Sequence, residues 1–199
     1  MARVKVLYML FLSLLINLPL TSWADNRKVA TAALKQVGQT LVYDPNYTQI
    51  SYPMGDIPVA RGVCSDVVVR ALRAQQVDLQ QLVHQDMQTN FRHYPNTWGL
   101  TKTDKNIDHR RVPNLEIFFK RHGKSLQVTK QAKDYFAGDI VSWRLDNGRP
   151  HIGIVSINQS KEGIPLIIHN IGWGTQQEDV LFAWTCSNFN CSLICWQFR

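Results

Sequence analysis

From residue 25 onward the apolar positions recur first at helical and later at alternating spacing. Val29, Ala32, Ala33 and Val37 lie three to four residues apart within Arg27 to Gln39, the period of a short amphipathic helix, and Gly38 marks its end. Tyr43 to Pro58 is dense in turn formers (Asp44-Pro45-Asn46, Pro53, Gly55-Asp56, Pro58) and predicts a long ordered loop or a succession of tight turns. Val67-Val68-Val69 alone would suit a strand. The Arg70-Ala71-Leu72-Arg73-Ala74-Gln75-Gln76 that follows favours helix and makes the run too long for a typical strand. That helix opens at Cys64, after Gly62-Val63, with Ser65 and Asp66 in its first turn. A further helix is expected over Asp78 to Met87, then an irregular stretch from His93 to Asp108 containing Pro95 and Gly99. After Val112-Pro113-Asn114 another helix runs through Leu115, Phe118, Phe119 and Arg121 until Gly123 stops it.

The period then changes to two. Ile140 to Leu145 and the β-branched run His151 to Ile157 read as strands around the turn residues Asp146-Asn147-Gly148. A second turn, Gln159 to Gly163, leads to Leu166 to Asn170. Helices come first and an antiparallel β-meander follows, an α+β arrangement rather than alternating βαβ units. No internal repeat or low-complexity tract interrupts it.

The N-terminal residues stand apart from this pattern. Arg3 and Lys5 precede an apolar run from Val6 to Leu20, and Ser22-Trp23-Ala24 supplies small residues before Asp25. These are the three regions of an export signal, so residues 1–24 are expected to be a signal peptide and 25–199 a single catalytic domain, with 185–199 the least defined part. The apolar run is short and broken for a membrane span, which needs about 20 apolar residues, so no stable membrane anchor is expected after cleavage. The formal charge of +7 falls by two with the leader, and the remaining cations are scattered. No nucleic-acid motif accompanies them, and a solvated basic surface is the plain reading.

Of four cysteines, Cys64 stands alone while Cys186, Cys191 and Cys195 crowd the tail, with no histidine among them to complete a zinc pattern. No cofactor or metal is expected. A thiol at a helix start with an imidazole nearby is a recurrent nucleophile, because both lower its pKa. Two histidines are placed to supply that imidazole. If the second hairpin is centred near residue 160 or 161, His151 pairs with residue 169 or 171. It then shares a sheet face with His169, within roughly 5 to 8 Å. A register one residue off would separate them.

Gly62-Val63-Cys64-Ser65-Asp66 opening a helix, Gly138-Asp139-Ile140-Val141-Ser142-Trp143, His151-Ile152-Gly153-Ile154-Val155 and Ile168-His169 together resemble the NlpC/P60 superfamily of papain-like cell-wall cysteine peptidases. The resemblance implies a papain-like fold with Cys64 as nucleophile, His151 as base and His169 as the residue orienting the imidazole; Asn170 is a rival for that third role. Tyr52, twelve residues before Cys64, falls where the superfamily commonly has an active-site tyrosine. More closely, Tyr52-Pro53-Met54-Gly55-Asp56-Ile57-Pro58, Asn106 through Asn114 and Ile168-His169-Asn170-Ile171-Gly172 resemble the bacterial domain of unknown function 1287, over roughly Asp25 to Trp184. Asp66 stands where the peptidases usually have Gly, which changes the pocket beside the nucleophile.

Each feature also has a plainer reading. A free Cys is often a buried structural thiol, and Asp108-His109-Arg110-Arg111 suits a solvated helix start with Asp108 as cap. Its functional reading is recognition of carboxylates by Arg110 or Arg111, whose guanidinium forks match them. The expectation is therefore a periplasmic or secreted monomeric cysteine hydrolase that cleaves an amide or peptide bond in peptidoglycan stem peptides through an acyl-enzyme on Cys64. Its alternatives are an amidase or acyl transferase on the same site, or an inert cell-wall binding module.

Overall fold

The computed structural model describes residues 25–184, together with the backbone of 194–197. The expected leader and Cys186 and Cys191 lie outside these residues. Four helices precede most of an open antiparallel sheet, the α+β arrangement that the change of period predicts.

α1 (Asn26–Leu34) starts where Asp25 accepts from the N–H groups of Arg27 and Lys28, and it buries Val29, Ala30 and Ala33. It ends earlier than its apolar period suggests. Gln36 turns inward instead, donating from Nε2 to the carbonyl of Val67 at 2.9 Å. α2 (Cys64–Arg73) is buried along almost its whole length, Cys64 through Val69 included, which explains why its valine run mimics a strand. Asp66 Oδ2 fixes its start by accepting from the Val63 N–H at 2.7 Å. α3 (Leu79–Asn90) is capped by Asp78, and α4 (Val112–His122) carries Pro113 in its first turn and stops at Gly123.

The turn-rich segment before α2 is an ordered loop. It includes a short parallel pair, β1 (Val42–Tyr43) with β2 (Arg61–Gly62), that the turn signals hid. Arg70 of α2 pins it, pairing with Asp56 and donating to the carbonyls of Ile57 and Arg61.

The main sheet comprises β3 (Lys124–Leu126), β4 (Ile140–Arg144), β5 (Pro150–Gln159), β6 (Pro165–Asn170), β7 (Thr175–Glu178) and β8 (Ile194–Gln197), in the order β3-β8-β4-β5-β6-β7. Both faces are covered. Ile140, Ile152, Ile154 and Ile168 pack on α1, α2 and α4, while Val141, Trp143, Val155 and Ile167 form a second cluster with Tyr135 and Leu181. β5 and β6 pair with Ile154 opposite Ile168 and Val155 opposite Ile167. Extended toward the strand ends, this register sets residue 151 opposite 171 and makes His151 and His169 diagonal neighbours on one face. Gly153 permits the close approach: a Cβ there would meet Ile167 Cγ2 at 2.7 Å and His169 Cβ at 3.2 Å.

Candidate functional site

Cys64 and His151 come from different layers, the thiol from the first turn of α2 and the imidazole from β5. Cys64, 5 % exposed, projects from the first turn of α2 into the helix-side core, where the N–H groups of Ile152, Ser65 and Cys64 itself face its sulfur. The sulfur thus lies against β5 one residue from His151. That histidine is 2 % exposed, and its ring lies parallel to Trp143 and edge-on to Trp184. Its Nε2 is 2.8 Å from Nδ1 of His169, whose own Nε2 is 2.8 Å from Oε2 of Glu178 on β7. The last contact is an ion-pair approach without hydrogen-bond alignment.

The 2.8 Å approach of the Glu178 carboxylate, which only accepts, favours the proton of neutral His169 on Nε2 and leaves its Nδ1 an acceptor. His151 therefore carries its proton on Nε2 and presents an unprotonated Nδ1, the nitrogen a base requires. That Nδ1 makes no hydrogen bond among the described residues. Asn170, the rival for the orienting role, is occupied elsewhere: its Nδ2 donates to the carbonyl of Gly62 at 2.9 Å, tying β6 to the loop that delivers Cys64.

The electrostatics differ from the expectation of a lowered thiol pKa. Burial pushes the Cys64 thiol up to about 12, and nearby Asp66 adds to this, against the smaller opposing effect of the N–H groups. Burial takes His151 down to about 3, with His169 lowering it further. The resting pair is neutral thiol and neutral imidazole, because a Trp cage and a helix core solvate charge worse than a helix N-terminus stabilises it.

Two buried histidines have consequences for stability. Burial holds His109, like His151, down to about 3, with Arg110 contributing. Below pH 6.5 the unfolded chain takes up protons at both positions while the folded chain does not. Stability from these groups is complete above about pH 6.5 and is lost as pH falls toward 3. Together they should cost about 3 kcal/mol between pH 6.5 and 5. His169, also lowered, adds to the loss, and Asp108, raised by burial, opposes it. Urea titrations across that range should show the decline, and His109→Gln should flatten it if the variant folds.

A cavity of about 350 Å³ opens at Cys64, with Tyr43, Trp98, Arg111, Pro113 and Pro150 among its walls. The structure does not bring Tyr52 here: its ring packs edge-on to His84 under Lys105. Tyr43 is the tyrosine beside the sulfur, its hydroxyl pKa raised by burial and then by Cys64. Asp66 and Arg110 are brought together as a lock, not as free ligands. Arg110 Nε and Nη2 grip both oxygens of Asp66 at 2.9 and 3.0 Å, and its remaining donors reach the carbonyls of Asn46 and Asp44. Arg111 differs: its guanidinium lies 4.2 Å over the Trp98 ring, and its Nη1 is buried with no hydrogen-bond partner. Tyr43, Trp98 and Glu178 escaped the sequence reading. Tyr43 and Trp98 lie in turn-rich and aperiodic stretches, and Glu178 follows the last strand with a readable period.

The fold and site define an α+β domain with a buried thiol at the wall of a cleft and, on the adjoining strands, two linked buried histidines. The chain belongs to the family described as Domain of unknown function (DUF1287), whose model matches residues 30–189. It is similar to "Uncharacterized protein YijF" of Escherichia coli (strain K12), 61% identical over 159 residues that cover 80% of this chain and 78% of that protein. No solved structure matches it.

Proposed function

We propose that this protein is an exported cysteine hydrolase of the papain-like, NlpC/P60 type, cleaving an amide or peptide bond with Cys64 as nucleophile. The observation that supports the reading most is the seat of the Cys64 sulfur on the β5 backbone at Ile152, one residue along the strand from a histidine whose Nε2 is held by a second imidazole that a carboxylate approaches in turn. Because both groups rest neutral, transfer of the thiol proton to Nδ1 of His151 accompanies attack on the carbonyl, and no standing thiolate precedes it. His151 then protonates the leaving amine, and water resolves the acyl-enzyme by the same route in reverse. The free N–H groups at the start of α2, with the Tyr43 hydroxyl, are placed to meet the developing oxyanion.

Peptidoglycan stem peptides are the proposed substrate, on the resemblance to cell-wall peptidases and the leader-like first 24 residues. Incubating purified sacculi with the protein and identifying soluble fragments by mass spectrometry tests it. Release of peptide fragments with a new carboxyl or amino end, absent with Cys64→Ala, is expected. No release, combined with no labelling of Cys64 by a peptidyl electrophile, overturns the enzyme reading in favour of a binding module.

Glu178 is a positioning residue in this scheme. Removing its charge in Glu178→Gln leaves His169 free to adopt the other tautomer. This should lower kcat about three- to tenfold with little change in KM. A pH–rate profile is the check, since the charge loss should also shift its acidic limb downward; an unshifted profile would assign Glu178 a purely structural role.

A further inference from the structure

Arg111 is a cation beside the cleft whose buried Nη1 has no hydrogen-bond partner among the described residues. Arg111 stands on the wall of the Cys64 cavity, yet its side chain donates no hydrogen bond and pairs with no carboxylate among the described residues. The neighbouring acids act on it only at a distance, each raising its pKa without forming an ion pair with it. Asp104 accepts from the Tyr47 hydroxyl and the Asn106 N–H, while Asp108 Oδ2 accepts from the Asp104 N–H and faces His84, its Oδ1 making no hydrogen bond among the described residues. No acidic side chain lines the cavity, and Arg110, the other cation in its wall, is neutralised by Asp66. Burial pulls the Arg111 pKa down, the signature of a cation that has given up water without a full replacement. Trp98 holds the plane of the guanidinium, which leaves the fork of donors preorganised for a planar, bidentate acceptor.

We propose that Arg111 is a carboxylate-binding subsite, which makes the cavity selective for peptides with a free carboxylate close to the bond attacked. This rests on reading the cavity as the substrate site and deepens it by giving the substrate a charge and a spacing. A cavity of about 350 Å³ is about two extended residues across, so a carboxylate at Arg111 and a carbonyl at Cys64 belong to the same or adjacent residues of the ligand. The sequence pairs Arg110 with Arg111 as equal candidates; the structure separates them, one locking the fold and one facing the ligand.

The test uses the full chain carrying Cys64→Ala, so that binding is read without turnover. Acetyl-alanyl-glutamate and its diamide are titrated calorimetrically. The acid should bind at least about tenfold tighter than the diamide, in line with a charge-assisted bidentate contact. The preference should vanish in Arg111→Gln and return in part in Arg111→Lys, with circular dichroism confirming that both variants fold. Equal affinity for acid and diamide, no measurable binding of the acid, or a preference that survives Arg111→Gln overturns the proposal. A second measurement separates it from the catalytic reading. With Cys64 present, Arg111→Gln should slow alkylation by iodoacetate and leave alkylation by neutral iodoacetamide unchanged. Both reagents are used in alkali, where the thiolate forms; if neither modifies Cys64 there the nucleophile reading fails, while the calorimetric result still decides the subsite.

Discussion

Cys64→Ala should eliminate turnover and active-site labelling while leaving the thermal midpoint within a few degrees of wild type, since the change removes one small buried atom. His151→Ala should lower kcat about 10³- to 10⁴-fold, because in the proposed mechanism one residue is base in the first half-reaction and acid for the leaving amine. The burial of both groups adds a feature to this result. With the thiol near 12 and the imidazole near 3, alkylation of free Cys64 by iodoacetamide should stay slow through neutral pH and rise only in alkali. Acylation by a bound substrate should not follow that curve. Rapid alkylation of the free protein at pH 6, abolished by His151→Ala, would instead show a preformed ion pair.

Arg110→Ala should have the largest effect on stability, about 3 to 5 kcal/mol, by leaving the Asp66 carboxylate buried without its partner. The guanidinium also holds the carbonyls of Asp44 and Asn46, so the loop carrying Tyr43 should loosen with it. Chemical denaturation gives the magnitude. Arg111→Ala serves as the control, expected to change stability by less than about 1 kcal/mol because it breaks no hydrogen bond. Equal losses at the two positions would erase the distinction between lock and ligand site.

Much of this site was legible from periodicity. The switch from helical to alternating spacing gave the order of elements, and the centre of the Gln159 to Gly163 turn gave the register that brings His151 to His169. What the sequence hid depends on distant contacts. α2 is so deeply buried that its valines lose the helical contrast between faces. β1 and β2 are two residues each and pair across a long loop, too short to show alternation. β7, Thr175-Gln176-Gln177-Glu178, has no apolar residue to betray a strand, so Glu178 could not be placed behind His169. Tyr52 sat at a suggestive spacing from Cys64, but spacing along a loop fixes no direction, and Tyr43 took the place beside the sulfur. The Trp143 and Trp184 rings that shift His151 come from cross-strand pairing and from a segment beyond the sheet's readable part. A sequence estimate of the thiol's acidity therefore had the helix terminus and lacked the desolvation.

The bond from Asn170 to the Gly62 carbonyl spans 108 positions of the chain. It divides the freedoms of anyone who would remake this scaffold. The amide joins β6, the strand of His169, to the residue two before Cys64, an anchor that does not pass through the valine core. Repacking Val67, Val68 or Leu72 alters the cluster that also holds Cys64 and Ile152, and this anchor is a tie outside that cluster. New specificities are best sought in Trp98, Arg111 and Pro113, side chains of the cleft wall that belong to neither.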